Sequence, residues 1–282
     1  MTVAAMELRV DLHTHSHCSD GLLAPTALVA LAAQRGVGLL ALTDHDTALG
    51  CDEARAACEL HGIRFVPGVE LTGAWRDREI HVIGLNIDGA HRPFGAHCAR
   101  VLELRRERVT AIAQRLSRAG LPGAALAAEA LAAAAPTRAH LARALHSRGL
   151  ASSVQAAFER WLKRGRPGYV GAEWPPVALA VQCIIDAGGV AVLAHPHRYR
   201  VSHGMLRELV AEFKAAGGTG LEVSLAGMGP GDADRAATLA RRFDLAGSIG
   251  SDFHEPGLPW RPLGRFAKLP ERITPIMARL GL

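Results

Sequence analysis

The feature that most constrains this chain is a repeated alternation between short apolar runs and longer helical segments that end at glycine. Residues 39–42 and 190–194 are continuous apolar runs, and a helical pattern precedes each of them. Short apolar runs of this kind are typical of strands buried on both faces of a parallel sheet. Parallel neighbours need long crossover connections, which helices supply. The chain therefore predicts an α/β fold built from strand–helix units.

About seven such units can be counted, and this number favours a barrel over an open sheet. Strands are predicted at residues 8–13, 39–42, 63–66, 79–85, 190–194, 220–224 and 245–249, with a last possible strand near 265–269 before a short closing helix. Helices are predicted at residues 25–34, 50–61, 177–187, 205–216 and 233–243. Catalytic groups in such barrels lie at the C-terminal ends of the strands.

A central segment, residues 97–175, has a different pattern, because strand signals vanish and Ala, Leu and Arg dominate. Helices are predicted at 100–118, 124–135, 137–148 and 154–162, which indicates an all-helical insertion domain between the two parts of the barrel, 1–96 and 176–282. The segment contains 13 lysines and arginines against 5 acidic residues, whereas the whole chain has a net charge of +5. This asymmetry favours an anionic substrate, although arginine-rich helix surfaces are a simpler explanation for any single arginine.

The totals limit the class of protein. The chain has 282 residues, of which 49% are hydrophobic, so it is long enough for one large domain with an insert. None of the five cysteines forms a C-x-x-C pair, so reduced thiols are expected. No apolar run reaches the roughly 18 residues of a membrane span, and residues 1–10 lack signal-peptide features. A cytoplasmic protein without a membrane or an obligate protein partner is the expectation.

Histidines and carboxylates recur at the predicted strand ends. His13 and His15 lie two apart after the first strand and face one side, with Asp20 beyond them; alone, they are equally compatible with a solvated loop. The second strand adds Asp44, His45 and Asp46, and the later strands add Glu70, His81, His195, Asp252 and His254. Surface histidines would not follow strand ends in this way. The pattern predicts a metal site at one mouth of the barrel.

The donors are nitrogen and oxygen without thiolate, which suits Mn, Fe or Zn better than a structural zinc site. Nine donors exceed the four to six that one ion takes, so two or three ions are expected. Clustered divalent ions bind phosphate oxygens, activate water and stabilise a leaving oxygen. Hydrolysis of a phosphate ester is the chemistry that this cluster and the basic segment predict.

The motifs together resemble those of the PHP (polymerase and histidinol phosphatase) family. They are His13-x-His15, Ser19-Asp20-Gly21, Thr43-Asp44-His45-Asp46, Gly68-Val69-Glu70, His195-Pro196 and Gly250-Ser251-Asp252-x-His254. The resemblance implies a distorted (β/α)7 barrel and a trinuclear site, with manganese as the metal. It assigns His13, His15, Glu70 and Asp252 to one ion, Glu70, His81 and His195 to a second, and Asp20, His45 and His254 to a third.

The helical insert resembles that of one subgroup of the family. That subgroup hydrolyses the 3′-phosphate of nucleoside 3′,5′-bisphosphates such as pAp, and its members also act as 5′→3′ exonucleases on short RNA. The resemblance therefore implies a nucleotide bisphosphate or short RNA as the substrate of this chain.

Further residues are candidates for contact with substrate. Arg198 follows the His195 ligand closely and is expected to bind the phosphoryl group, and His197 is a candidate proton donor to the leaving group. Candidates for a second phosphate or the base are Arg138, His140, Lys163, Arg166 and Tyr169. Each has a structural alternative, since Arg138 could cap a helix and Tyr169 could belong to the core. Asp11 and Asp44 are expected to orient ligand histidines.

Two other functions remain open from the sequence. A histidinol-phosphate phosphatase would use the same metal site, but the basic insert favours a nucleotide or doubly charged substrate. A non-enzymatic module that binds metal and assists a nucleic-acid-processing partner is the second alternative. The complete set of metal donors argues against it.

Overall fold

The computed structural model describes residues 8–282 and contains one seven-stranded sheet with helices packed around it. The strands are β1 (Arg9–Asp11), β2 (Val37–Leu42), β3 (Arg64–Trp75), β4 (Arg78–Leu85), β5 (Val190–Leu193), β6 (Gly220–Leu225) and β7 (Ala246–Gly250). They lie in the sheet in chain order, which confirms the predicted α/β class. The expectation about a signal peptide rests mostly on residues 1–7, which lie outside the described residues.

The predicted parallel arrangement is wrong for one strand, because β4 is antiparallel to both β3 and β5. The remaining pairs, from β1–β2 to β6–β7, are parallel. Only Arg76 and Asp77 connect β3 to β4, and Arg76 has a φ of +56°. A two-residue connection closes a hairpin and cannot cross over to a parallel neighbour. The strand is thus reversed by the shortness of its connection.

Ten α-helices are described between residues 8 and 282. They are α1 (Pro25–Gln34), α2 (Cys51–His61), α3 (Arg92–Arg118), α4 (Gly123–Leu131), α5 (Arg138–Ser147), α6 (Val154–Ala157), α7 (Val177–Asp186), α8 (His203–Ala215), α9 (Pro230–Arg242) and α10 (Met277–Leu280). A π-helical turn, Phe158–Leu162, follows α6, and a 3₁₀ turn, Pro196–Arg198, follows β5. None of these helices is both long enough and apolar enough to cross a bilayer. All five cysteines are free.

The strand predicted near residues 265–269 does not form. Gly247 of β7 is instead paired with residues 274–276. Its N–H donates to Thr274 O at 2.8 Å, and its O accepts from the Ile276 N–H at 2.9 Å. Gly264, at φ +67°, donates its N–H to the Asp11 carboxylate at 2.8 Å. Residues 274–276 thus take the hydrogen-bonding positions of Gly247 in β7, and residues 265–269 do not pair with this strand.

Helix α3 begins eight residues before the predicted start at Arg100, because Pro93 is tolerated in the first turn of a helix. Its first half places Phe94 and Cys98 in the core that covers the sheet. Its second half places Ile112 and Leu116 in a separate core shared with α4, α5 and α6. One continuous helix therefore connects the sheet to the helical segment, and it crosses residue 97 without a break.

The segments after β1 and after β7 run side by side. Leu12 N–H donates to Ile249 O at 3.2 Å, Asp252 N–H to His13 O at 2.8 Å and His15 N–H to Phe253 O at 2.9 Å. These bonds join the first and last strands of the sheet beyond their regular parts. They also bring the two histidine-bearing segments together, which positions the site described next.

Candidate metal centre

The structure brings all nine predicted metal ligands into one buried cluster around Glu70. Its carboxylate lies 2.9–3.3 Å from nitrogens of five histidines, which are His13, His15, His45, His81 and His195. Asp252 reaches His13 at 3.4 Å and His15 at 3.3 Å. Asp20 reaches His254 at 3.2 Å. Glu70, at 1% exposure, is therefore the centre of the group.

Three sets of these side chains could each hold a divalent ion, because their ligand atoms lie within 4.8 Å of one another. The sets are His13, His15, Glu70 and Asp252; His45, Glu70 and His81; and His15, Asp20, His45 and His254. The first matches the set that the resemblance implies. The third adds His15 to the expected residues. In the second, His45 takes the place expected for His195, whose Nε2 still lies 2.9 Å from Glu70 Oε1.

The donor atoms fit metal ions better than they fit one another. His13 Nε2 and His15 Nε2 lie only 3.1 Å apart, and both side chains are fully buried. His195 Nδ1 is buried without a hydrogen-bond partner among the described residues. Asp20 Oδ1 and His45 Nδ1 have charged neighbours at 3.2 Å, which are His254 Nε2 and Glu70 Oε2, but the geometry forms no hydrogen bond. Buried polar atoms left in this state cost free energy unless another group binds them. A mixed nitrogen and oxygen set of this kind suits divalent metal ions.

The strands explain how distant residues reach one point. His13 and His15 lie two residues apart in the extended segment after β1, so their side chains point to the same side. His45 follows β2, and Glu70 lies within β3. His81 lies near the start of β4, opposite Thr72 of β3. Because β4 is reversed, its beginning lies at the mouth where the parallel strands end. This explains why a residue far from the end of its strand joins the cluster.

The turns at this mouth hold backbone conformations that are rare for residues with a side chain. Asp46, His195 and Asp252 have φ values of +52°, +29° and +51°. Left-handed backbone at non-glycine residues costs free energy and is concentrated at functional sites. Two of these three residues are predicted ligands, so the strain accompanies the placement of their side chains.

The charges in the cluster are strongly perturbed in the absence of metal. Burial raises the pKa of Glu70, but His45 and His13 hold its pKa well below the usual range. Burial lowers the pKa of His15, but Asp252 and Glu70 together raise its pKa to about 9. Burial also lowers the pKa of His81, but the nearby Glu70 carboxylate raises it, and the pKa of His81 is about 10. The metal-free cluster therefore pairs ionised carboxylates with protonated His13, His15 and His81, whereas burial lowers the pKa of His45 and of His195.

Glu222 is a residue of the site that the sequence reasoning missed. It lies in β6, is fully buried, and accepts hydrogen bonds from His13 Nδ1 at 2.9 Å and from the His195 backbone N–H at 2.6 Å. A carboxylate that accepts from the second nitrogen of a ligand histidine fixes the ring and its tautomer. The signal was available, because Glu222 is the one acidic residue inside an otherwise apolar and small-residue strand.

Asp44 and Asp11 hold the loops of the site through different bonds from those expected. Asp44 accepts from the Ser16 N–H at 2.8 Å, from Ser16 Oγ at 2.6 Å and from Ser19 Oγ at 2.6 Å. Asp11 accepts from the Ser251 N–H at 2.9 Å. Both carboxylates therefore position the backbone between ligands, and their principal partners are serines and amides instead of imidazoles.

Two arginines converge on Asp252. Arg198 Nη1 pairs with its Oδ2, and Arg261 Nη1 lies 3.2 Å from the same oxygen. Arg261 was not predicted, because it lies in a Pro-rich segment without a motif. His197 is close in sequence, but burial and Arg198 lower its pKa to about 4. The histidine is therefore neutral near pH 7, which does not favour it as a proton donor.

A cavity of about 120 Å³ separates the histidine cluster from α3 and α5, and Asp20, His45 and His81 form part of its wall. Glu79 also lines it, 3.5 Å from His81 Nε2, and accepts from Arg108 at 2.7 Å, from Trp174 Nε1 at 3.0 Å and from Arg138 at 3.3 Å. The candidate Arg138 thus lies beside the cluster, together with Arg108 and Glu79, which were not among the candidates.

The predicted residue His140 also lies at the N-terminus of α5. Its Nδ1 accepts the Thr137 N–H at 3.0 Å, and Thr137 Oγ1 donates to Asp20 Oδ2 at 3.0 Å. His140 therefore completes a capping box that fixes Thr137 against Asp20. This contact is a structural explanation for His140.

The three candidates of the loop after the π-helical turn have contacts of their own. Lys163 O accepts the Arg166 N–H at 3.0 Å, and Arg166 lines a separate surface pocket with Ser152 and Glu159. The Tyr169 ring lies 5.9 Å from the guanidinium carbon of Arg164. Among the described residues, none of Lys163, Arg166 and Tyr169 lines the cavity beside the cluster.

Comparison with known proteins places this site in a family. A family model described as the PHP domain matches residues 11–170. A 5′-3′ exoribonuclease of Haemophilus influenzae is 42% identical over 271 residues, covering 96% of this chain and 98% of the relative. A 3′,5′-nucleoside bisphosphate phosphatase of Chromobacterium violaceum is 39% identical over 273 residues, covering 96% of both chains. A solved structure of an amidohydrolase from Chromobacterium violaceum, with bound sulfate and no metal, superimposes with a TM-score of 0.92 at 38% identity, covering 97% of this chain and 96% of the other.

Proposed function

The chain belongs to the PHP family and is a metal-dependent phosphoesterase, and from this premise we propose that it removes the 3′-phosphate of nucleoside 3′,5′-bisphosphates such as pAp. The observation that supports this substrate best is the position of Arg138 and Arg108 beside the histidine cluster. A second anionic group could bind there while the first is at the cluster. The 3′,5′-nucleoside bisphosphate phosphatase relative agrees with this choice.

The reaction is the attack of water on the 3′-phosphorus with loss of the P–O3′ bond. The nucleoside O3′ gains a proton, and inorganic phosphate carries the oxygen that came from water. Divalent ions bound at the cluster would bind the phosphoryl oxygens, activate the water and stabilise the developing charge on O3′. We propose manganese as the metal, with two or three ions, and Zn or Fe as the alternatives that the donors also suit.

The residues of the chain would contribute binding and orientation. Arg198 and Arg261 both pair with Asp252, and we propose that their guanidinium groups also bind phosphoryl oxygens. Glu222 keeps the ring of His13 and the backbone of His195 in place. His13, His15, Asp20, His45, Glu70, His81, His195, Asp252 and His254 are the proposed ligands.

The second phosphate is proposed to bind Arg138 and Arg108 in the cavity beside α5. At about 120 Å³ the cavity is smaller than the roughly 300–1,000 Å³ of ordinary ligand pockets, so it suits a phosphate better than a whole nucleotide. Both arginines donate hydrogen bonds to Glu79. The pKa of Glu79 lies well below its usual range, because Arg138 and Arg108 overcome the effect of burial. An arriving phosphate would therefore compete with an ionised Glu79 for these groups.

The structure offers a matched pair of variants to test the second-phosphate site. Arg138→Ala should raise KM for pAp by at least about tenfold, since a charge-assisted hydrogen bond contributes roughly 1.5–3 kcal/mol, and should leave KM for 3′-AMP nearly unchanged. Arg166→Ala, in its separate pocket, is the control. Steady-state kinetics with Mn²⁺ on both substrates measures the difference. Equal effects of Arg138→Ala on pAp and 3′-AMP would contradict the role.

We also propose exonuclease activity on short RNA, in line with the 5′-3′ exoribonuclease relative. The same P–O3′ bond breaks when the first nucleotide leaves a 5′-phosphorylated RNA, so one centre can serve both substrates. The comparison of pAp with a 5′-phosphorylated oligoribonucleotide, both with Mn²⁺, tests which is preferred. Release of phosphate from histidinol phosphate at a higher kcat/KM than from pAp would favour the alternative enzyme. Bound metal without turnover of any of these substrates would favour the accessory role.

We propose that the sheet closes as a distorted (β/α)7 barrel, which the hydrogen bonds from Leu12 to Ile249 and from Asp252 to His13 support. We propose residues 97–175 as a helical insertion domain, supported by the separate core of α4, α5 and α6. A cytoplasmic location is proposed from the five free cysteines.

A further inference from the structure

A second and larger depression begins beside Asp252 and leads away from the helical segment. It is a groove of about 960 Å³, and its lining includes Arg9, Arg35, Phe253, Glu255, Arg261 and Arg265. The groove runs between the C-terminal cap of α1 and the segment that follows β7. It therefore runs from Arg261, beside the mouth, toward the end of the sheet where β1 and β2 begin, and it is separate from the cavity that contains Arg138.

The groove is strongly basic, and much of its charge is uncompensated. Within residues 8–282, no carboxylate lies within ion-pair distance of Arg9, Arg35 or Arg265. Glu255 is the one acidic residue in the lining, and it faces Arg143 at 3.9 Å. Arginines without carboxylate partners along a concave surface concentrate positive potential and attract a polyanion.

The inner end of the groove reaches the metal centre. Arg261 lines the groove, and its Nη1 atom lies 3.2 Å from Asp252 Oδ2. Trp260 is not part of the lining, but it lies between the lining residues Pro259 and Arg261, and its side chain is 58% exposed, which is unusual for so large an aromatic group. Basic grooves with exposed aromatic side chains are the common solution for binding single-stranded nucleic acid, because bases stack on the rings.

The two proposed substrates differ at one oxygen of the phosphate that reacts. In a nucleoside 3′,5′-bisphosphate this phosphate is terminal, whereas in RNA one of its oxygens is O5′ of the second nucleotide. Water attacks phosphorus, the P–O3′ bond breaks and O3′ gains a proton, so the shortened RNA keeps the phosphate at its new 5′ end. An enzyme that cleaves RNA in this way needs a path for the strand attached to that phosphate.

We propose that the groove from Arg261 past Arg265 to Arg35 and Arg9 holds the RNA strand on the 3′ side of the cleaved bond, and that Trp260 stacks on one of its bases. The inference rests on the proposed function, since it assigns the strand to the same centre. The cavity beside Arg138 holds the 5′-phosphate of the first nucleotide. The groove then determines preference for RNA over a bisphosphate, which never reaches it.

The experiment uses the full chain and two variants, Arg265→Glu and Trp260→Ala, both altered at exposed positions. Arg92→Glu is the control, because Arg92 is exposed at the N-terminus of α3, where an acidic residue is tolerated, and does not line the groove. Binding of a 5′-phosphorylated, 3′-fluorescein octaribonucleotide is followed by anisotropy in EDTA. Hydrolysis of the same RNA without the dye and of pAp is followed with Mn²⁺.

Both variants should weaken octaribonucleotide binding by about fivefold or more, while kcat/KM for pAp stays within about twofold of wild type. Arg265→Glu should also reduce the slope of log Kd against log salt by about 0.7 for each RNA phosphate that the variant no longer neutralises. Unchanged binding in both variants would overturn the proposal, as would equal losses on RNA and pAp. A wild-type protein that hydrolyses neither substrate would instead refute the proposed function, so the two failures are distinguishable.

Discussion

Glu70 has an unusual role among the residues of the site, because a single carboxylate lies near five imidazoles. Its oxygens lie 2.9 Å from His195 and 3.0 Å from His81 on one side and 3.2 Å from His45 on another. A carboxylate with two oxygens can bridge two ions, and Glu70 belongs to two of the three possible metal sets. Replacement of this residue would therefore affect more than one ion at once.

Glu222→Gln should weaken Mn²⁺ binding by about 10- to 100-fold, because the amide holds the His13 ring less strongly than the carboxylate does. The activity lost at low metal concentration should return at high Mn²⁺, since Glu222 positions a ligand and does not touch the substrate. Titration of metal-free protein with Mn²⁺ gives the affinity. Glu208→Gln, at an exposed ion pair with Arg76, is the control. Activity that high Mn²⁺ fails to restore would contradict a positioning role.

The raised pKa values of three histidines predict that metal binding releases protons. His15 and His81 have pKa values of about 9 and 10, and the pKa of His13 lies well above its usual value, because Glu222 and Glu70 overcome the effect of burial. These imidazoles are protonated in metal-free protein near pH 7.5, and only the neutral ring binds metal.

Metal affinity should therefore rise with pH between about 7 and 9, and each binding event should release protons. Calorimetry of Mn²⁺ binding in buffers of different ionisation enthalpy counts the protons. The carboxylates Asp20, Glu70 and Asp252 should release none, because their pKa values are already held far below neutral. An affinity that does not change with pH in this range would show that the histidines are neutral before metal binds.

At the scale of secondary-structure elements, α3 connects the sheet to the helical segment through a buried charge. Arg105 of α3 donates to Asp46 Oδ2 at 2.6 Å and to Thr72 Oγ1 at 2.6 Å. Asp46 lies after β2 and Thr72 lies in β3, so one arginine joins three elements. The Arg105 guanidinium also lies 5.5 Å from the Trp174 ring. These contacts fix the angle at which α3 leaves the sheet.

Arg105→Met should destabilise the protein by about 3–5 kcal/mol, because it leaves the buried Asp46 carboxylate without its charged partner and with hydrogen bonds from Thr72 alone. Adding Asp46→Asn should recover part of that loss by removing the uncompensated charge. Arg106→Met, one residue further along and exposed, should change the free energy of unfolding by about 0.5 kcal/mol or less. Urea unfolding of the four proteins measures these differences. Similar losses in Arg105→Met and Arg106→Met would contradict the argument.

At the scale of the whole molecule, the buried charges make the folded state depend on bound metal. Residues from β1 to the segment after β7 contribute ligands, so ions would join both ends of the chain. Each site that binds only the folded state should add about 2.7 kcal/mol to the free energy of unfolding when free metal is 100 times its Kd.

Thermal unfolding in EDTA and in increasing Mn²⁺ tests this dependence. The midpoint should rise continuously with the Mn²⁺ concentration, because mass action favours the state that binds. The midpoint of Asp252→Asn should rise less with Mn²⁺ than that of wild type, since the variant lacks one ligand while the other sets stay intact. A midpoint that is the same in EDTA and in excess Mn²⁺ would contradict the assignment of the cluster as a metal centre.

The sequence by itself determined the α/β class, the positions of most elements and the nine side chains of the cluster. Local physics was enough for these, because apolar runs, glycine stops and His or carboxylate residues at strand ends are readable along the chain. It predicted helix α1 at its observed bounds, Pro25–Gln34. His81 was also identified, although the direction of its strand was not.

Tertiary structure alone decided the contacts between residues distant in the chain. The reversal of β4, the approach of Arg261 to Asp252 and the pairing of Glu79 with Arg108 and Arg138 depend on packing and on the paths of loops. An arginine in a Pro-rich segment has many possible partners, and only the folded chain shows which carboxylate it meets. The basic groove is of the same kind, because its arginines come from positions as far apart as 9 and 265 and share a surface only after folding.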